Sequence, residues 1–368
     1  AALTTAQVAA LDSSQIAALS SQQVSALTTA QVAAIETTDI GALSTANVRA
    51  LTTAGVAALT TDQIANLNTA QASALSTTQV AALTTTQLAA VETTDIKALT
   101  TAQIASLNTA QVAVLGTDQI AAMTTAEVRA ITTLGTASLT TDQVAALNSA
   151  QLAALGTSQI AALATTQVAA IETADISAMN TASIRAFTTA GVAALTTDQI
   201  ANLGTTQVAA LSTSQVAALT TTQIAAIETT DIKAMTTAQI AKLDTAQVAA
   251  LGTDQVAVLT TAEVRALTTA SAAALTTAQV AALDSAQVAA LATSQIAALT
   301  TTQVAAIETT DISAMNTASI RALTTAGVAA LTTDQIANLG TAQVAALSTT
   351  QVAALTTTQI AAIETTDI

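Results

Sequence analysis

Leu59-Thr60-Thr61-Asp62-Gln63-Ile64-Ala65-Asn66 is the stretch that decides the fold, because a close copy of it begins every eight residues from Leu3 onward. Its first position always holds Leu, Ile, Val, Met or Phe, and its third always Thr or Ser. The fifth is usually Gln, and the sixth is Val, Ile or Leu except at Ala72, Thr136 and Ala272. The last two positions are mostly Ala. Thr60 with Gln63 three residues later spells a capping box, in which each side chain satisfies a backbone N–H that a helix start leaves without a partner. Leu59 just before the cap and Ile64 at the fourth helical position are spaced as a hydrophobic staple. Ala, the best helix former, then extends the turn.

The charges support the same register. All 23 acidic residues fall at the cap, the second or the third helical position, as Asp12, Asp62 and Glu127 do. All 8 basic residues fall in the last two places of their octads: Arg49, Lys97, Arg129, Arg185, Lys233, Lys242, Arg265 and Arg321. Acids at helix starts and bases at helix ends are what the helix dipole favours, at roughly 0.3–1 kcal/mol each.

Two other folds fit less well. One continuous α-helix turns about 100° per residue, so an eight-residue repeat would wind its apolar residues around a rod and bury no stripe. A β-solenoid would account for Thr and Val, but not for Ala-Ala ends, Gln and scarce turn Gly. The sequence therefore predicts an all-α solenoid, a superhelical rod of very short helices with one helix per octad.

The chain's 368 residues divide into 46 octads without a break in composition, so a single continuous array over 1–368 is expected. Isolated helices this short are unstable in water, so packing between octads has to hold them. There is no Pro, Cys, His, Trp or Tyr, and Phe187 is the only aromatic residue. A net charge of −15 argues against nucleic acid or an anionic membrane as partner. Polar residues interrupt every octad, so no segment is apolar enough to span a bilayer. The start at Ala1 lacks Met and a basic leader, and ordinary octads stand at both ends. The sequence reads as a window from a longer array.

A second, longer period runs through the octads. The acidic octad Ile35-Glu36-Thr37-Thr38-Asp39-Ile40 returns with Glu92, Glu172, Glu228, Glu308 and Glu364, at gaps alternating between seven and ten octads. One cycle is therefore seventeen octads, and Gly55, Gly191 and Gly327 keep the same interval. The octad after each Arg replaces Gln by Gly55, Gly135, Gly191, Ser271 or Gly327. Duplication of a seventeen-octad block accounts for this pattern, and contact between Arg and Glu across neighbouring turns or strands is the other reading.

Little in the chain suggests reaction chemistry. Acid–base, nucleophilic and transition-metal sites most often recruit His or Cys, and neither occurs. We expect no catalytic residue, no cofactor and no enzyme activity. The one metal-like feature is the carboxylate pair repeated at Glu36/Asp39, Glu92/Asp95, Glu172/Asp175, Glu228/Asp231, Glu308/Asp311 and Glu364/Asp367. Calcium takes six to eight oxygens, so such a pair needs a second segment to complete a site. The second Thr of each octad is not required by capping, and a recurring hydrogen bond between octads is expected for it.

Leu59-Thr60-Thr61-Asp62-Gln63-Ile64-Ala65 resembles the helix opening of transcription activator-like effector repeats, L-T-P-E-Q-V-V-A-I. The period of eight, the missing base-reading pair and the acidic charge mean that DNA binding does not carry over. Across its whole length the chain resembles the Ala/Thr-rich, Cys-free octapeptide tracts of very large bacterial surface or secreted adhesin-like proteins. That resemblance implies an extracellular or cell-surface filament, stalk or spacer that associates with itself. The alternative is a binding module presenting a regular Thr/Gln surface to ice, carbohydrate or another copy.

Overall fold

A computed structural model describes residues 3–363. Among the described residues the regular structure is entirely helical, with 45 helices of four to six residues, each beginning at the third position of its octad. By internal contact the chain divides into two compact units, Ala1–Phe187 and Thr188–Ile368, built in the same way.

The caps are as the sequence predicts. In the helix Thr61–Ala65, Gln63 N–H donates to Thr60 Oγ1 at 3.1 Å, and Gln63 Oε1 accepts from Thr60 N–H at 2.8 Å. Each such bond satisfies a donor that a one-turn helix cannot satisfy internally. The corner between helices is made by two extended residues: Leu59 at φ −57°, ψ 139° and Thr60 at φ −73°, ψ 161°. Any L-residue adopts these angles, and no described residue has a positive φ. That is how so tight a path runs with so little Gly and no Pro.

Packing between octads turns the string of helices into a solenoid within each unit. The helix Thr29–Ala33 packs on Thr53–Ala58, which packs on Thr77–Ala82, each three octads further on. Thr189–Ala194 packs on Thr213–Ala218 in the same way in the second unit. First- and sixth-position aliphatics fill the core, with Leu59 4% and Ile64 1% exposed. Burying each such side chain stabilises by about 1.5–3 kcal/mol relative to exposure.

Gln is buried alongside them, and Gln63 is 1% exposed. Its Nε2 donates to Val32 O at 3.1 Å, inside the helix four octads earlier, and to Ile35 O at 2.7 Å, just beyond that helix at the start of the next octad. In the second unit Gln223 Nε2 donates likewise to Val192 O at 3.0 Å and Leu195 O at 2.6 Å. Helices thus pack at a step of three octads while each amide reaches back as far as the fourth. One turn of the solenoid therefore takes more than three and fewer than four octads.

Candidate functional site

The octads that depart from the consensus are where a specific role would reside. In the acidic octads Asp stands in the Gln position. It is too short for the Gln bonds and, as a carboxylate, has no proton to donate. The helices there shrink to four residues: Thr37–Ile40, Thr93–Ile96, Thr173–Ile176, Thr229–Ile232 and Thr309–Ile312. Their N-caps, Glu36, Glu92, Glu172, Glu228 and Glu308, make no side-chain cap bond.

Instead, at four of these octads Asp accepts from a hydroxyl one turn away. Ser13 Oγ donates to Asp39 Oδ1 and Ser149 Oγ to Asp175 Oδ1. Ser285 Oγ donates to Asp311 Oδ1, and the Thr205 hydroxyl donates to Asp231. Each donor is the third-position residue 26 positions earlier, so the expected bond between octads for the second Thr or Ser is found at these places. Ser21, whose Oγ lies 3.1 Å from Asn47 Oδ1, extends it to an amide.

Among the described residues, the structure separates the two carboxylates of the candidate cation pairs by environment. Asp39, Asp95, Asp231 and Asp311 are buried and Asp175 is half-buried, whereas Glu36, Glu92, Glu172, Glu228 and Glu308 are exposed. Burial, with a smaller push from the Glu92 carboxylate, holds Asp95 above its ordinary 3.8. Burial raises Asp231 too, opposed by the Thr205 hydrogen bond and helped by Glu228. Beside one pair lies an open hollow of about 340 Å³ lined by Glu92, Thr93, Gly116 and Asp118. Among the described residues no three His, Cys, Asp or Glu side chains gather closely enough to hold an ion. Glu364 and Asp367 lie outside the described residues.

The Arg octads behave differently. Arg49, Arg129, Arg185, Arg265 and Arg321 all sit in the last helical turn and are exposed. Arg49 Nε donates to Ala74 O at 3.0 Å, and Arg321 Nε to Ala346 O at 3.0 Å. Those carbonyls end the helices Thr69–Ala74 and Thr341–Ala346, so the guanidinium supplies a donor that a helix end lacks. An open hollow of about 590 Å³ beside Arg49 is lined otherwise by small residues: Thr45, Ala46, Ala70, Ser73 and Ala74.

In the octads after Arg, the missing Gln allows close approach. A Cβ added at Gly135 would sit 2.9 Å from Ile131 Cγ2 and 3.3 Å from Val112 Cγ2. Ser271, at the same position, keeps part of the Gln role by donating from Oγ to Leu243 O at 3.1 Å.

The residue whose role sequence reasoning missed is Gln. A signal was present, because a capping box accepts Glu as readily as Gln. Only Glu127 and Glu263 take that option here. A preference for the amide marks a need for its N–H₂ group. The expectation of a Thr/Gln surface is corrected accordingly: from Gln31 onward the fifth-position Gln faces inward, and Thr60 and Thr61 with their equivalents are what solvent meets.

The ALTTAQ repeat family model matches residues 1–29, 32–69, 88–125, 137–170, 168–205, 201–226, 224–261, 257–293, 304–341 and 336–365. No curated protein gives a significant match to the chain. Ala2-Leu3-Thr4-Thr5-Ala6-Gln7 spells the repeat itself, and the matches span most of the sequence. The chain belongs to the ALTTAQ repeat family.

Proposed function

We propose that this chain is a structural, non-catalytic element: an extracellular filament, stalk or spacer whose reach is set by the number of its octads. The observation that carries the reading is the Gln bond pair, met at Gln63 and again at Gln223. Each octad bonds to its neighbours through the same few groups, so octads add without altering those already present. The surface or secreted setting rests on the resemblance to adhesin-like tracts and on a fold that needs no disulfide.

Electron microscopy of the purified chain, beside a version lengthened by one seventeen-octad block, tests the structural part. Thin particles that lengthen by a constant increment support it, and compact particles of unchanged length sink it. Protease shaving of intact producing cells tests location: digestion is expected, and full protection would overturn the surface assignment.

A second reading, a hydroxyl-rich binding face, has one observation in its favour. Thr60, Thr61 and their equivalents in most octads are exposed at regular intervals. Thermal hysteresis below the freezing point, or retention on a carbohydrate column, would favour that reading over a plain spacer.

A further inference from the structure

Asp95 differs from the other described aspartates that replace Gln. Asp39, Asp175, Asp231 and Asp311 each accept from the hydroxyl of the third-position residue one turn earlier. For Asp95 the residue in that place is Thr69, and no hydrogen bond joins the two. Asp95 is 3% exposed, and no described residue donates to its carboxylate. A buried acceptor without a donor is costly, and a charged one more so.

The preceding turn lacks a donor at the same point. Gln63 donates to the carbonyl 28 residues earlier, Ile35 O, and Gln87 does the same to Leu59 O at 2.6 Å. The carbonyl in that place for Asp95 is Leu67 O, and no described N–H or hydroxyl reaches it. Asp95 and Leu67 wall the same internal cavity of about 10 Å³, with Ala72, Leu75 and Leu88 among the aliphatic residues that complete it. That is about the room one water occupies.

Two departures from the repeat open this cavity. Asp is shorter than Gln, and Ala72 stands at the sixth position, where most octads carry Val, Ile or Leu. The copy of this turn one seventeen-octad block later has Val208 in place of Ala72, and there Thr205 donates to Asp231 directly.

We infer that one water is held between Asp95 and Leu67, where the amide of Gln sits in other octads. One of its O–H groups donates to the Asp95 carboxylate and the other to Leu67 O, so both acceptors gain the partner that Gln would have given. Fixing one water costs less than leaving two buried acceptors unmet. Two oxygens are too few to replace the shell of a metal ion such as calcium, whereas a buried water needs only two to four partners. When Asp95 takes up a proton, its O–H donates to the water instead, and the bond to Leu67 O is kept.

A crystal structure of the full chain, fine enough to place waters, tests this. A water within hydrogen-bonding distance of both Asp95 and Leu67 O is expected. An empty cavity, or a direct bond from Thr69 to Asp95, would overturn the inference. In solution, magnetic relaxation dispersion of water counts the molecules held longer than the protein takes to tumble. Ala72→Val fills the cavity and Asp95→Gln provides the missing amide, so each should lower that count by one. Asp231→Gln, at the copy where a hydroxyl already serves, should leave it unchanged. Asp95→Gln restores the repeat's own residue, so it reports on the site even if Ala72→Val fails to fold. A count unchanged by Asp95→Gln, or lowered equally by Asp231→Gln, rules the water out. The spacer role does not depend on either result.

Discussion

The amide of Gln63 donates to the carbonyl of Ile35, 28 residues earlier, at 2.7 Å while the same side chain's oxygen closes the cap on Thr60. One side chain thus joins the start of one helix to the end of another on the preceding turn. Replacing Gln63 by Leu keeps the volume and leaves Thr60 N–H and the Val32 and Ile35 carbonyls without that partner. Each buried group left unsatisfied costs about 1–3 kcal/mol. Gln63→Leu should therefore lower the urea midpoint and raise amide hydrogen exchange in Thr29–Ala33 and Thr61–Ala65. Gln7, exposed and bonded to Thr4 within its own octad, is the control, and Gln7→Leu should cost clearly less. Equal losses at the two positions would remove the inter-turn bond from the account.

Asp95 and Asp231 predict a pH dependence of definite sign. Both have folded-state values raised above the ordinary 3.8, chiefly by burial. Between 3.8 and the raised value the folded state binds more protons than the unfolded one, so these groups add stability as pH falls through that window. Above it, each charged carboxylate is a standing penalty. Asp95→Asn/Asp231→Asn should melt higher than the unaltered chain at neutral pH, and the difference should shrink on acidification. A gap that is constant with pH would mean that these carboxylates do not titrate differently on folding.

Ala164 and Ala292 stand at N-caps, where no side chain accepts from the following helix. Ala164→Thr/Ala292→Thr restores the consensus acceptor, and each substitution should stabilise by about 0.5–2 kcal/mol. Calorimetry on the double variant checks this, and an unchanged or lower melting temperature would contradict it.

Two glycines should respond oppositely to the same change. Gly135→Ala forces a Cβ to within 2.9 Å of Ile131 Cγ2 in a packed interface. Overpacking of this kind costs about 1–3 kcal/mol. Gly41 has φ −65° and ψ −16°, and a Cβ there would meet only Asn66 O at 3.7 Å. Gly41→Ala should stabilise by about 0.4–1 kcal/mol by reducing the freedom of the unfolded chain. Chemical denaturation of the two variants side by side decides it.

Much of this fold is legible in a single octad. Thr60, Gln63 and Ile64 declare cap, box and core because capping and helical periodicity act within a few residues. The number of octads per turn is not legible in the same way. It is set where Gln63 meets Val32 and Ile35, and where Thr29–Ala33 meets Thr53–Ala58, at separations that leave no mark inside an eight-residue window. The acidic octads were legible as a pattern, but their chemistry was not. Glu36 and Asp39 look alike in sequence, and only the fold shows that one faces water while the other accepts from Ser13. The second Thr was obscure for a related reason, since a partner for it emerges where a short acid or Asn replaces Gln.

The unequal steps of packing and bonding have a mechanical consequence. Masonry laid in running bond has no continuous vertical joint, because each course is offset from the one below. Here, within each unit, three-octad contacts and four-octad amide bonds offset successive turns in the same sense. A crack opening between two helices cannot run straight from turn to turn: at each course it meets an amide that spans the joint. Resistance to tearing is therefore shared among many small bonds, and it is thinnest where Asp or Gly leaves a brick out.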